Sequence, residues 1–194
     1  MKLYYAPGAC SLASRISLHE AGFEAEFEKV DIRTKTTESG DDYSAINPKG
    51  YVPMLVLEDG TAVTENVAIL DLIAKWDPDL GAQGALRRTE LIEMLSYLSS
   101  ELHVAFKPFW HSDSATERDS AAAAVAKRLE VLENQMAGTY LMGSRFTVAD
   151  AYLFVMLRWA EGFDLPLSPR LLSYFELIAE RPAVRQALKE EGLA

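Results

Sequence analysis

The chain has one cysteine, Cys10, and it stands where a helical pattern begins, two residues after Gly8. A sulfur in that place has defined chemistry. The first N–H groups of a helix lack intrahelical partners and the positive end of its dipole favours an anion, so a thiol there is drawn below its ordinary pKa of about 8.5. The same donors would serve the sulfur of a bound thiol ligand, or a mixed disulfide between that ligand and Cys10. Ser11 follows and no second cysteine is present, which excludes Cys-x-x-Cys dithiol cycling. A second helical pattern opens at Thr64-Glu65-Asn66. The N–H of Asn66 and the helix dipole suit a carboxylate, Glu65 suits an ammonium, and together they suit an amino-acid zwitterion. The three histidines, His19, His103 and His111, form no ligand pair with a cysteine or carboxylate cluster, so no metal is expected.

These residues need elements to hold them. Lys2 to Ala6 reads as a short strand and Ser11 to Ala21 as a helix, with Gly22 as its stop. Phe27 to Ile32 reads as a second strand with imperfect alternation. Met54 to Leu57 and Ala62 to Thr64 flank Glu58-Asp59-Gly60-Thr61, whose Asp-Gly is a hairpin signal. A helix over Asn66 to Trp76 then ends at Asp77-Pro78. The order β-α-β followed by β-β-α is that of thioredoxin. From Leu86 the period turns helical: Leu91, Leu95, Leu98, Leu102, Phe106 and Phe109 mark one face of a long helix that Pro108 disturbs near its end. Ser114 with Glu117 is a capping box, and Val125, Leu129, Leu132 and Met136 continue as a stripe. Thr147 with Asp150 is a second cap, placed before the apolar run Ala151 to Trp159. Leu171 to Glu180 and Ala183 to Glu190 read as two final helices parted by Pro182. The expected fold is an α/β thioredoxin-like N-terminal domain over residues 1–77, an Asp-, Gly- and Pro-rich linker at 78–85, and an all-α C-terminal domain over 86–194.

Composition narrows the function. With 194 residues, 49% of them hydrophobic, the chain can bury a core without staples. A net charge of -10 with no Lys/Arg cluster disfavours nucleic acid as a partner. No apolar run approaches the roughly 20 residues of a membrane span, and Met1-Lys2-Leu3-Tyr4-Tyr5 has no leader pattern, so no membrane partner and a cytoplasmic location are expected. One cysteine gives no sign of an oxidising compartment.

Four motifs carry a family resemblance over nearly the whole chain. Tyr5-x-Pro7-Gly8-Ala9-Cys10-Ser11, Asn47-Pro48-Lys49-Gly50-x-Val52-Pro53, Glu101-Leu102-His103 and Phe146-Thr147-x-Ala149-Asp150-Ala151-Tyr152-Leu153 resemble signatures of the glutathione transferases, most closely the bacterial, cysteine-containing beta class. The resemblance implies that glutathione is the thiol ligand, present as co-substrate, with its γ-glutamyl zwitterion on Glu65 and Asn66. Val52-Pro53, by itself readable as the start of an edge strand, is expected to be a cis peptide. That bond would present the Val52 N–H and C=O unpaired, for an extended peptide to join as an added strand. Lys35 resembles the family's basic contact to the glycyl carboxylate, and His103 the histidine that faces the glutathione sulfur across the domain interface. Ser100 and Glu101 resemble residues that reach the glutathione of a partner subunit, which makes a homodimer the expected assembly. Two positions depart from the pattern: Ser96 stands where asparagine is common, and Val104 follows His103 where lysine is common. The Val104 departure removes a positive charge near the sulfur.

Thr147 and Asp150 resemble the family's buried cap and are assigned to folding. Tyr5, Phe109, Trp110 and Trp159 are candidates to line an apolar pocket for the electrophile. The reading is a transferase that activates the glutathione thiol against small hydrophobic electrophiles, with Cys10 and His103 as its catalytic pair. Whether Cys10 attacks or only lies beside the reacting sulfur stays open. One alternative is a glutathione-dependent thiol reductase or peroxidase using Cys10 as a mixed disulfide, and another is a non-catalytic binding or regulatory module.

Overall fold

A computed structural model describes residues 1–136 and 138–194. The first half forms one sheet. Strands β1 (Lys2–Tyr5), β2 (Glu26–Asp31), β3 (Thr36–Thr37), β4 (Met54–Val56) and β5 (Ala62–Thr64) lie in the order β3-β2-β1-β4-β5. β1 runs parallel to β2 and antiparallel to β4, so Leu3 sits between Phe27 and Leu55. The parallel pair requires a crossover, and helix α1 (Ser11–Glu20) supplies it. α1 stops where Gly22 takes a φ of 67°, and the N–H of Phe23 then closes back on the carbonyl of Leu18. The β4–β5 hairpin turns through Gly60 at a φ of 85°. Helix α3 (Asn66–Trp76) covers the far end of the same layer.

The thioredoxin order is therefore present, with two small elements that the residue pattern did not reveal. β3 is two residues long, too short for an alternation to show, and helix α2 (Tyr43–Ile46) is a single turn started by the Asp42 side chain accepting from the N–H of Ser44. A 3-10 turn at Pro78–Leu80 leads into the helical half.

That half consists of α4 (Arg87–Tyr97), α5 (His103–Ala105), α6 (Lys107–His111), α7 (Ala115–Gln135), α8 (Val148–Gly162), α9 (Pro169–Ala179) and α10 (Pro182–Glu190). The expected single long helix through Phe109 is not one helix. Leu98–Leu102 form a π-turn, in which the N–H of His103 reaches five residues back to Leu98, and the chain bends again at Phe106 before Pro108. The apolar stripe Leu91, Leu95, Leu98, Leu102 and Phe106 is nevertheless fully buried. At the head of α7 half of the expected capping box forms: the Ser114 hydroxyl accepts from the N–H of Glu117, but the Ser114 N–H donates to the Ser112 hydroxyl and not to the Glu117 side chain.

α8 is the central strut. Every residue from Val148 to Leu157 is buried, and the helix packs against α1, α3, α4 and α9, which joins the two halves into one core. Its start is fixed by Asp150, whose carboxylate accepts from the Thr147 N–H and hydroxyl, the Leu141 N–H and the Tyr174 hydroxyl, each at 2.7 Å.

Candidate functional site

The turn from β1 into α1 brings Cys10 to the seam between sheet and helices. Gly8 makes this turn with a φ of 69°, which a side chain would strain. Both of its backbone groups are held by distant side chains: its N–H donates to Glu191 at 2.8 Å, and its carbonyl accepts from the indole N–H of Trp159 at 2.7 Å. Cys10 is the N-cap of α1 and is half-buried. Its thiol donates a weak bond to the Val52 carbonyl at 3.7 Å. The peptide bond from Val52 to Pro53 is cis. Contrary to expectation, the Val52 carbonyl is thus not unpaired, and the sulfur lies directly beside the strand edge.

The electrostatics of Cys10 also differ from the sequence reading. Burial pushes its pKa up to about 12, overcoming the opposing pull of the Cys10 and Ser11 backbone N–H groups, and Glu65 adds to the rise. The helix donors are in place, but in this environment they do not yield a Cys10 thiolate.

Glu65 adopts a φ of 70°, a conformation that costs a non-glycine residue about 1–3 kcal/mol and that concentrates at ligand sites. Its carboxylate already holds a cation: Lys49 Nζ lies 2.6 Å from Glu65 and 2.9 Å from the Thr64 hydroxyl. Sequence alone assigns Lys49 no role, although a lysine beside Gly50 and three residues before Val52 borders the same edge. Asn66 is buried at the start of α3, where its side-chain oxygen accepts from Ser14 at 2.7 Å and its Nδ2 has no partner among the described residues. Lys35 is not a free loop charge. It has a φ of 58°, and its ammonium donates to the Gly50 carbonyl at 2.7 Å, close to Val52.

From the helical half, His103 enters immediately after the π-turn. Its Nδ1 lies 3.0 Å from the hydroxyl of Tyr152, and its ring meets the edge of Trp159 at a centroid distance of 4.8 Å. Burial, with Lys107 nearby, pushes its pKa down to about 4, so the imidazole is neutral at pH 7. Trp159 and Trp110 pack edge to face at 4.9 Å, and Phe109 stacks on Phe163 at 4.7 Å. Phe106, which the helical stripe marks as core, and Phe163 complete this aromatic cluster. Tyr5 does not join it. Its ring is buried with the Arg15 guanidinium 4.0 Å from its centroid, so it belongs to the sheet core. Ser96, Ser100 and Glu101 are exposed; Ser100 donates to the Ser96 carbonyl and Glu101 pairs with Arg128 at 2.9 Å.

The arrangement has a thiol, a Val52 N–H without a partner among the described residues and a carboxylate at a helix start on one side, and a neutral imidazole with an aromatic wall on the other. A peptide-like thiol with a zwitterionic end fits the first side and an apolar co-substrate the second.

Comparison with known proteins agrees with this chemistry. Residues 8–76 match the family described as Glutathione S-transferase, N-terminal domain, and residues 96–182 match Glutathione S-transferase, C-terminal domain. The chain is 43% identical to the glutathione S-transferase GstA of Escherichia coli O157:H7 over all of both proteins. It matches a solved sphingomonad glutathione S-transferase complexed with glutathione at 44% identity and a TM-score of 0.93, and a beta-class enzyme of Sphingomonas chungbukensis at the same values, each over 100% of both chains. The chain belongs to the glutathione S-transferase family, as an enzyme with that family's thioredoxin-like and helical halves and with its beta-class bacterial members as structural neighbours.

Proposed function

We propose that the seam between residues 1–77 and 86–194, linked through 78–85, binds glutathione and directs its thiolate at small hydrophobic electrophiles. The observation that carries this reading is the convergence at one seam of the Cys10 turn, the cis Val52-Pro53 edge and Glu65-Asn66 with His103. Val52 offers its N–H to the tripeptide backbone. Asn66 and the start of α3 receive the γ-glutamyl carboxylate, and Glu65 receives the ammonium in exchange for Lys49. Lys35 lies at the end of the edge where the glycyl carboxylate falls. The ligand sulfur takes the N–H donors at the head of α1, with His103 as a neutral donor opposite. Depressing a thiol pKa by about two units requires nearly 3 kcal/mol of selective stabilisation of the anion, which a few aligned donors supply.

The high pKa of Cys10 favours a neighbouring role for this residue over that of an attacking thiolate. Conjugation is accordingly preferred to the mixed-disulfide reductase, and Cys10→Ala should retain most of the activity. Phe109, Trp110 and Trp159 form the wall against which the electrophile rests. Ser96, Ser100 and Glu101, exposed along one helical face, fit a homodimer in which each subunit touches the other's ligand. The absence among the described residues of any helix long and apolar enough to cross a membrane fits a cytoplasmic detoxification enzyme.

The test is calorimetric titration with reduced glutathione, comparing wild type with Glu65→Ala. Saturable binding that the substitution abolishes supports the reading. A wild-type protein that binds no glutathione overturns it.

A further inference from the structure

In the buried stretch of α8 from Val148 to Leu157 the polar side chains are Asp150, which belongs to the cap, and Tyr152, which has no part in the proposed reaction. Tyr152 is 1% exposed, and a buried phenol needs a partner for its hydroxyl. His103 Nδ1, at 3.0 Å, is the one hydrogen-bond partner of the Tyr152 hydroxyl among the described residues. The heavy atoms alone allow the proton between them to sit on either group. A buried phenol O–H with a single acceptor in reach donates to it, the more so because a phenol is a stronger acid than a neutral imidazole and the imidazole nitrogen the stronger base.

We propose that Tyr152 is a positioning residue: its O–H donates to Nδ1 of His103 and fixes the imidazole in the tautomer that carries its proton on Nε2. Nε2 has no protein partner among the described residues and is not walled off from solvent, so its N–H is available to a ligand sulfur. The supporting pKa shifts run the same way. Burial and the proximity of Cys10 hold the phenol well above its ordinary value, so it stays protonated, and the neutral imidazole has one ring proton to place. The Tyr152 hydroxyl thus ties the orientation of His103, on α5, to α8, the helix that joins the two halves. This inference rests on the reading that His103 serves the glutathione sulfur.

The experiment combines long-range proton–nitrogen NMR of histidine-labelled protein with kinetics against a chlorinated dinitrobenzene. His103 in the wild type should show the Nε2-protonated tautomer, and Tyr152→Phe, which keeps the ring volume, should lose that preference. Turnover in Tyr152→Phe should fall about tenfold, the loss of one good hydrogen bond, with KM for glutathione unchanged. On a His103→Ala background the same substitution should have no further effect. A wild-type Nδ1–H tautomer, or a His103 spectrum indifferent to Tyr152→Phe, overturns the proposal. So does an equal loss of turnover on the His103→Ala background, which would mark Tyr152 as merely structural. If the wild type fails to bind glutathione in the titration above, the transferase reading falls and takes this role with it; if glutathione binds and the tautomer does not depend on Tyr152, only the role of Tyr152 falls.

Discussion

Acid should unfold this protein partly through His103. In the unfolded chain the imidazole titrates near 6.5, while burial holds it at about 4 in the folded state. The unfolded state therefore binds more protons between these values, so the stability owed to the neutral ring is complete above the unfolded pKa and is lost as pH falls toward the folded one. The full difference of about 2.5 units corresponds to about 3 kcal/mol at roughly 1.4 kcal/mol per unit. At about pH 5 the unfolded imidazole is almost wholly protonated and the folded one almost wholly neutral, and linkage gives a loss of about 2 kcal/mol relative to pH 8. Buried carboxylates titrate in the same range, so the measurement must be differential. Urea unfolding of wild type and His103→Gln, followed by tryptophan fluorescence from about pH 8 to pH 5, isolates the histidine, because glutamine keeps an amide donor and does not titrate. The wild-type stability minus that of the variant should shrink by about 2 kcal/mol over that range. A difference that stays constant with pH would refute the claim that His103 is held neutral by burial. The kinetic corollary is a kcat profile without a limb near the ordinary histidine value.

Other positions give independent checks. Asp150→Ala strips the acceptor from four donors and should cost about 3–5 kcal/mol in denaturant unfolding. Trp159→Phe keeps the aromatic wall but releases the Gly8 carbonyl; it should cost about 1 kcal/mol and raise KM for glutathione, measured by unfolding and steady-state kinetics. Glu191 is lifted by burial to about 7, so the stability it lends while protonated is lost as pH rises from about 4.5 through 7; Glu191→Gln should flatten that decline in a pH series of melting temperatures.

Much of the architecture was written in local pattern, and the exceptions have physical causes. Helix α3 lies on the span that the apolar period and Asp77-Pro78 predict, and the stripe through Leu102 is the buried one. The π-turn before His103 left no trace, because one extra residue in a turn changes backbone pairing without altering which leucines are apolar. Cys10, Glu65 and Asn66 can be named as candidates from residue type and position, and Val52 and His103 from the family resemblance. Their energetics cannot, since the direction of the Cys10 shift depends on how much protein covers the sulfur, and that covering comes from residues scattered over the chain. The position of Tyr5 has a related cause: a tyrosine in a strand reads the same whether it faces a pocket or, as here, Arg15. Lys49 and Tyr152 stand inside recognisable motifs, but their contacts with Glu65 and His103 bridge distant parts of the chain and exist only in the fold.

The grip on Gly8 has a consequence for the independence of the sheet half. That half carries Cys10, Val52, Glu65 and Asn66, which makes it look like a complete binding device that could be moved between proteins. Yet the turn presenting the sulfur is fastened on one side by α8 and on the other by Glu191, directly after α10, from 151 and 183 residues away. A fragment ending at α3 would keep every candidate ligand-contact residue of that half and lose both fasteners. Exchange of helical halves between relatives, by recombination or by design, is therefore constrained less by the electrophile wall it brings than by whether it returns an indole N–H and a carboxylate to the same glycine.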